Sequence, residues 1–276
     1  MSSAPANELR DAYATDRVAV YLMRLWARRE YVWFVARSEL RSRQMTSLLG
    51  NVWHLLNPAL SIAVYFVIFG VLLDGDRGVD NYILFITVGV LFFADVQRAT
   101  MAGAGAIANN RGLLQSLAFP RAMLPITSTL TESLASLPGL VVIYSVALLT
   151  SESPRITWLL LPLLLAVMGL LNLGLALIAA RGSSQYADLR QVLPFLFRLL
   201  LYGSGVVFSV DVVAEGRSWA WIFDLNPVYG YLSIARWSMM GGELRWAWFV
   251  AAAVWTAIAG VGGFWWFRRA EDNYGR

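Results

Sequence analysis

Long apolar runs separated by short polar, arginine-bearing stretches set the plan of this chain. A helix needs about 20 predominantly apolar residues to cross a hydrocarbon core. Six runs approach that length, at about 52–73, 82–108, 122–149, 156–180, 192–210 and 246–267. The pattern predicts an all-α polytopic membrane protein with six transmembrane helices in one domain over 46–267. Ahead of the first run, residues 17–45 mix Val18, Tyr21, Leu22, Leu25, Trp26, Trp33 and Phe34 with Arg24, Arg28, Arg29, Arg37 and Arg41. That stretch is too charged to span and predicts an amphipathic helix in the headgroup layer. Residues 1–16 read as a flexible polar segment, not a secretory signal. Between the fifth and sixth runs, 203–243 holds two apolar pieces, each too short to cross. It predicts short re-entrant helices, because irregular backbone at membrane depth survives only against protein or water.

Charge then orients the bundle. The chain has 276 residues, is 58% hydrophobic and carries 14% charged residues, against about 25% in soluble domains. All 22 basic residues are arginine. With the segment before the first run placed inside, five arginines fall outside: Arg77, Arg155, Arg217, Arg236 and Arg245. The other seventeen lie in segments placed inside, with Arg98 and Arg198 at or within spans. This bias predicts both termini, including the tail 268–276, in the cytoplasm. The net charge of +4 then reflects membrane anchoring and gives no reason to expect nucleic acid.

The same composition removes whole classes of chemistry. Without lysine there is no phosphate-binding P-loop and no Schiff base. Without cysteine there is no disulfide, thiolate metal site or thiol nucleophile. One histidine, His54, makes no metal pair. Within the spans the ionisable groups are Asp95, Arg98, Glu132 and Arg198. Asp95 and Arg98 stand three residues apart, where one helix face lets them neutralise each other. Glu132 has no partner in its own span. The set is too sparse for a proton relay, and no acidic pair marks a metal-dependent transferase. Small residues at 102–105, at Gly169 and Gly174, and at 260–263 predict close helix crossings. A permease driven by ATP on another subunit fits these exclusions. A membrane-embedded glycosyl- or phosphotransferase is the alternative from another class, and a passive scaffold is a third.

The segment 109–121, with 122–125 after it, joins the second and third spans. It carries Arg111 and Arg121 between apolar runs and offers a small apolar knob at Leu113, Leu114 and Leu117. A knob on a short tethered loop suits a push from a separate protein. The stretch 37–58 runs from Arg41 and Arg43 through Leu49-Gly50 and Trp53 to Pro58. Asn109, Asn110, Leu113, Leu114, Phe119, Pro120 and Arg121 follow in the loop, then Asp188-Leu189-Arg190-Gln191, Leu225-Asn226-Pro227 and Ala235-Arg236. In order and spacing these residues resemble the ABC-2 family of exporter permeases, in particular the Wzm-like polysaccharide exporters. The likeness extends from about Arg37 to Arg269. Two departures stand out. Ser204-Gly205-Val206 replaces the family's Ser-Pro-Val, and Leu113-Leu114-Gln115-Ser116 makes the loop less cationic than in many relatives.

The resemblance implies two copies of the chain above two ATP-binding cassette subunits. ATP and magnesium are then held by those partners, and this chain holds no cofactor or metal. It implies that Asn109, Asn110, Arg111, Leu113, Leu114, Phe119, Pro120 and Arg121 receive the ATPase motion. The cargo it implies is a polysaccharide on a polyprenyl diphosphate, moved outward across the plasma membrane. Arg24, Arg28, Arg29, Arg37 and Arg41 are candidates to attract the diphosphate. Tyr65, Phe66, Phe69, Phe92, Phe93, Tyr202 and Phe208 are candidates to line a saccharide pathway, because aromatic faces stack on sugar C–H surfaces. The all-arginine, tryptophan-rich composition suggests a high-GC genome, and with the resemblance this implies a cell-wall galactan as the glycan, with O-antigen and teichoic acid as alternatives. Within the same class, efflux of a drug or small lipid is the other reading.

Overall fold

The structure is a computed structural model that describes residues 18–45, 52–72, 79–116, 119–213, 220–271 and 274. The expected flexible segment 1–16, the Leu49-Gly50 pair, Leu117, Arg77, Arg217 and the last two residues of the tail lie outside the described residues. All regular structure among the described residues is helical.

The stretch expected to be one amphipathic helix is two, α1 (Val18–Ala27) and α2 (Arg29–Met45), broken by a turn at Arg28. Helix α3 (Val52–Tyr65) continues as a π-helical turn over Phe66–Leu72. Helix α4 (Tyr82–Ala106) leads through a 3-10 turn, Ala108–Asn110, into the short α5 (Arg111–Ser116). Next come α6 (Met123–Leu149), α7 (Leu160–Gln185) and α8 (Leu189–Gly203). The short α9 (Val210–Val213), a 3-10 turn at Ala220–Leu225 and α10 (Tyr229–Met240) precede the last long element. That element is α11 (Trp246–Ala257), a π-turn at Ile258–Gly262 and α12 (Gly263–Arg268).

Among the described residues, four helices are long and apolar enough to cross a membrane: Tyr82–Ala106, Met123–Leu149, Ile156–Gln185 and Trp246–Arg268. The expected first span is helical over 52–72, and its apolar part, Leu56–Leu72, is shorter than these four. Helix α8 begins earlier than its apolar run and stops at Gly203. There Ser204 turns its hydroxyl back to the Leu200 carbonyl at 2.5 Å, and Gly205 adopts φ +62°, a left-handed conformation that glycine takes without steric cost.

Helix α4 is apolar on nearly every face, so it sits at the centre, with α6 and α7 packed against it. Asn81 caps its start by accepting the Leu84 N–H and donates to Thr150 and Glu152 at the far end of α6. Some of the small residues make the close crossings expected of them. Gly103 faces the backbone and side chain of Ala176, and Gly174 lies directly on Ala259 and Gly260. A side chain at either glycine would collide with the neighbouring helix. Polar residues of α6 turn inward onto their own helix. Thr127, Thr129 and Thr131 donate to the carbonyls of Met123, Pro125 and Thr127 at 2.7–2.9 Å. Such back-bonding satisfies hydroxyls where water is excluded.

Two buried clusters result. The larger fills the bundle around α4. The smaller is at the end where α1, α5 and the tail meet, around Tyr21, Ile107, Leu114, Ala122, Phe267 and Tyr274.

Candidate functional site

The interface helices and the 109–121 segment converge on one cleft of about 760 Å³. Arg28, Tyr31, Glu39 and Arg43 line one wall; Asn109, Asn110, Leu113 and Phe119 line the other. Met123, Leu124, Thr127 and Ser128 form the floor from the first turns of α6. Residues far apart in sequence thus frame a single opening of mixed polar and apolar lining at the arginine-rich end.

An ionic chain holds α2 in place. Arg43 reaches Glu132 of α6 at 2.7 Å and Glu39 of its own helix at 2.8 Å. Arg98 of α4 approaches the other oxygen of Glu132 at 3.8 Å. Partial burial by itself lowers the Arg43 pKa, but its bonds to Glu132 and Glu39 outweigh that and carry it upward. Glu132 therefore has partners, though from other helices. Asp95 and Arg98 make no direct ion pair among the described contacts, yet the Arg98 charge acts on Asp95 as their spacing suggests. Asp95 accepts from Asn172 of α7 at 2.7 Å, and Arg98 also approaches Glu132 of α6.

The loop residues divide into two roles. Arg111 is exposed on α5, and Asn110 caps back to the Ala106 carbonyl at 2.9 Å. Leu113 opens on the cleft, whereas Leu114 is buried in the smaller cluster. Phe119 borders both, and Pro120 is buried. The backbone N–H of Arg121 donates to Glu271 at 2.8 Å. Leu114, Pro120 and Arg121 thus anchor the loop, and Asn109, Leu113 and Phe119 face the opening.

The interface arginines are spread along α1 and α2. Arg29 stacks over Trp26 at 5.2 Å and Arg37 over Trp33 at 5.3 Å. Arg28 faces the cleft, Arg24 is half-buried and Arg41 is exposed. Beneath Trp26 and Trp33 an apolar groove of about 1260 Å³ reaches Ile126, Leu130 and Leu173. Tryptophan bodies against apolar surface, with arginine heads above, suit a bilayer interface.

The seven pathway candidates separate. Tyr65 stacks on Phe69 at 6.3 Å, and Phe69 meets Tyr202 at 6.4 Å, which joins α3 to α8 in one aromatic strip. Phe66 packs on Tyr82, and Phe208 packs edge-on to Phe223. Phe92 and Phe93 are buried within the chain; Phe92 lines a cavity of about 140 Å³ with Pro58, Leu91 and Arg98, and Phe93 packs edge-on to Phe197. Around the strip, α3 and α8 expose Val64, Val67, Val192, Leu196 and Leu199 together with Arg198.

Sequence reasoning missed Arg236, which it counted among the outer arginines. The side chain is buried, lies flat over Phe85 at 3.4 Å, and donates to the carbonyls of Gly205 and Val206 at 2.8 and 2.9 Å. Gly89 leaves the space it needs. Arg236 thus holds the turn that ends α8. Its place in an otherwise apolar helix was the available signal. Tyr82, which donates to the Val207 carbonyl at 2.6 Å, grips the same turn.

Comparison with known proteins places this geometry. A family model described as ABC-2 type transporter matches residues 30–240. The O-antigen export system permease protein RfbA of Myxococcus xanthus is 25% identical over 202 residues, covering 72% of this chain and 76% of the relative. The protein of the same name from Klebsiella pneumoniae is 24% identical over 215 residues, covering 76% and 80%. The polysialic acid transport protein KpsM of Escherichia coli is 23% identical over 207 residues, covering 75% and 80%.

Proposed function

The chain belongs to the ABC-2 type transporter family, and from that premise we propose that it exports a polysaccharide carried on a polyprenyl diphosphate. Members of the family are membrane subunits of transporters and not enzymes; the ATPase is a separate subunit. The relatives named for O-antigen export and polysialic acid transport favour a glycan over a drug or small lipid. Transport runs outward across the plasma membrane, with both termini on the cytoplasmic side.

The observation that carries this reading is the shared cleft. The interface helix and the Asn109–Arg121 segment are the two elements on which a driving subunit would act, and they border one opening. Its lining supplies both hydrogen-bonding groups and apolar contact, as a protein partner requires. Arg24, Arg28, Arg29, Arg37 and Arg41 stand at the lipid surface nearby, where guanidinium groups pair with diphosphate oxygens.

Two copies with two ATP-binding subunits complete the assembly in this reading. The strip of Tyr65, Phe69 and Tyr202 shares a face with Arg198. An arginine facing hydrocarbon is costly, so that face fits a second copy or a hydrated pathway better than lipid. The short α3 and α8, paired across such an interface, would supply the remaining two spans of a six-span topology.

The test is recovery of the chain from membranes with an ATP-binding subunit whose hydrolysis responds to lipid-linked glycan. Leu113→Asp puts a charge into the opening without touching the buried Leu114. It should weaken subunit docking by about tenfold or more, the scale of a central contact residue. A chain that purifies alone, or a Leu113→Asp variant that docks and exports normally, would overturn the reading. Uptake into inverted vesicles of lipid-linked galactan against O-antigen-type chains separates the candidate glycans.

A further inference from the structure

Glu271 is a carboxylate in the short tail after the last long helix, and it is 3% exposed. Its Oε1 accepts two donors from distant parts of the chain. The Tyr21 hydroxyl of α1 donates at 2.8 Å, and the Arg121 backbone N–H donates at 2.8 Å. The Tyr21 oxygen also lies 3.4 Å from the Ala122 N–H, closing a triangle between interface helix, loop end and tail. Tyr21 is fully buried, with Phe264 edge-on at 5.9 Å and the Arg268 guanidinium at 5.1 Å from its ring. The tail folds back on itself, with the Tyr274 hydroxyl on the Phe267 carbonyl at 3.0 Å and the two rings 4.8 Å apart.

This arrangement is more specific than helix packing requires. Apolar residues would fill the same volume without the cost of burying a carboxylate. A charged acceptor between two donors fixes a distance and an orientation, which dispersion contacts do not. The joint ties α1 to the end of the segment that borders the cleft; α1 itself reaches the cleft only through Arg28 and the α2 wall that follow it, and the joint lies beside the cleft and outside its lining.

The geometry points to Glu271 as a positioning residue. It makes the interface helix and the 109–121 segment one mechanical block, so that force applied at the cleft moves both together. Without the clamp the loop yields by itself and α1 stays behind. The consequence for transport rests on the reading of the preceding subsection. The block itself does not.

The chain has no native cysteine, so paired spin labels at Met23→Cys and Gly112→Cys report on α1 and α5 alone. Met23 is exposed, and a side chain at Gly112 meets open space. The full-length chain should give one narrow distance distribution, which Glu271→Ala and Tyr21→Phe broaden. Glu271→Gln, whose amide oxygen still accepts both donors, should keep it narrow. In complexes that retain the ATP-binding subunit, glycan exported per ATP should fall about tenfold in Tyr21→Phe and Glu271→Ala, within the usual range of coupling between sites, and should recover in Glu271→Gln. Distributions as narrow in both variants as in the parent overturn the inference. So does unchanged export per ATP in assembled complexes, or a loss matched entirely by loss of assembled complex. If the parent chain brings down no ATP-binding subunit, the preceding reading fails and the label distances decide the clamp by themselves.

Discussion

Glu132 and Glu271 show how two buried carboxylates in one chain are held by opposite means. Glu132 is met by the side chains of Arg43 and Arg98, whereas Glu271 is met by a hydroxyl and a backbone N–H. Among the described residues, removing Arg43 leaves Glu132 its longer contact with Arg98. Arg43→Ala should therefore cost on the order of 1–2 kcal/mol, less than for a fully buried pair because the Arg43 side chain is 43% exposed. Arg98→Ala should cost less, and thermal unfolding in detergent with limited proteolysis of α2 ranks the two. Glu271 behaves differently with pH. Burial pushes its pKa up, and the bonds from Arg121 and Tyr21 and the nearby charges of Arg121 and Arg268 only partly offset this. The folded chain thus holds this proton more tightly than the unfolded chain. That stability is fully present below the ordinary carboxylate range and is lost as pH rises through the raised value. Melting curves across that interval should decline for the parent and flatten for Glu271→Gln.

At the scale of elements, helix contact is governed by where side chains are missing. Gly174 lies against the backbone of Ala259 and Gly260, so Gly174→Ala forces α7 and the last long helix apart. The expected cost is about 1–3 kcal/mol, as for overpacking a filled core. Gly262→Ala is the control. Its new methyl meets nothing within 4 Å, and its melting temperature should hold or rise slightly because alanine favours helix. The glycine clusters were legible in the sequence as close crossings, but which glycine sits at the crossing was not. Gly103, Gly174 and Gly263 lie on a neighbouring helix, whereas Gly260 and Gly262, from the same cluster as Gly263, face open space. Helix rotation decides this, and rotation is set by all the packing partners at once. Likewise α8 ends where Arg236 and Tyr82 capture the turn after it, and both residues are distant in sequence from that turn.

For the whole molecule, the open question posed by the fold is what covers the face shared by α3 and α8. The proposed second copy predicts contact between identical chains there. Single cysteines at Val192, Leu196 or Leu199, in a chain with no native thiol, should cross-link to a species of twice the mass in membranes. Cysteine at Val141 or Leu163, exposed on α6 and α7, should remain monomeric. A reversed pattern would move the partner interface to the other side of the bundle and detach the aromatic strip from the pathway.

The sequence by itself determined the membrane class, the all-helical architecture and the family, because these follow from local composition, period and motif order; of the six spans it predicted, four are helices long and apolar enough to cross among the described residues. It also singled out the Asn109–Arg121 loop, since a rigid basic link between two apolar runs is a one-dimensional signal. Tertiary structure alone decided which loop residues face outward and which anchor, with Leu113 on the cleft and Leu114 in the core. It buried Phe92 and Phe93, gave Glu132 its partners from α2 and α4, and brought Glu271 to Tyr21 across 250 positions. The reason is physical. A side chain's exposure and partner depend on how helices rotate and cross, and that is fixed by contacts between segments that no local pattern connects.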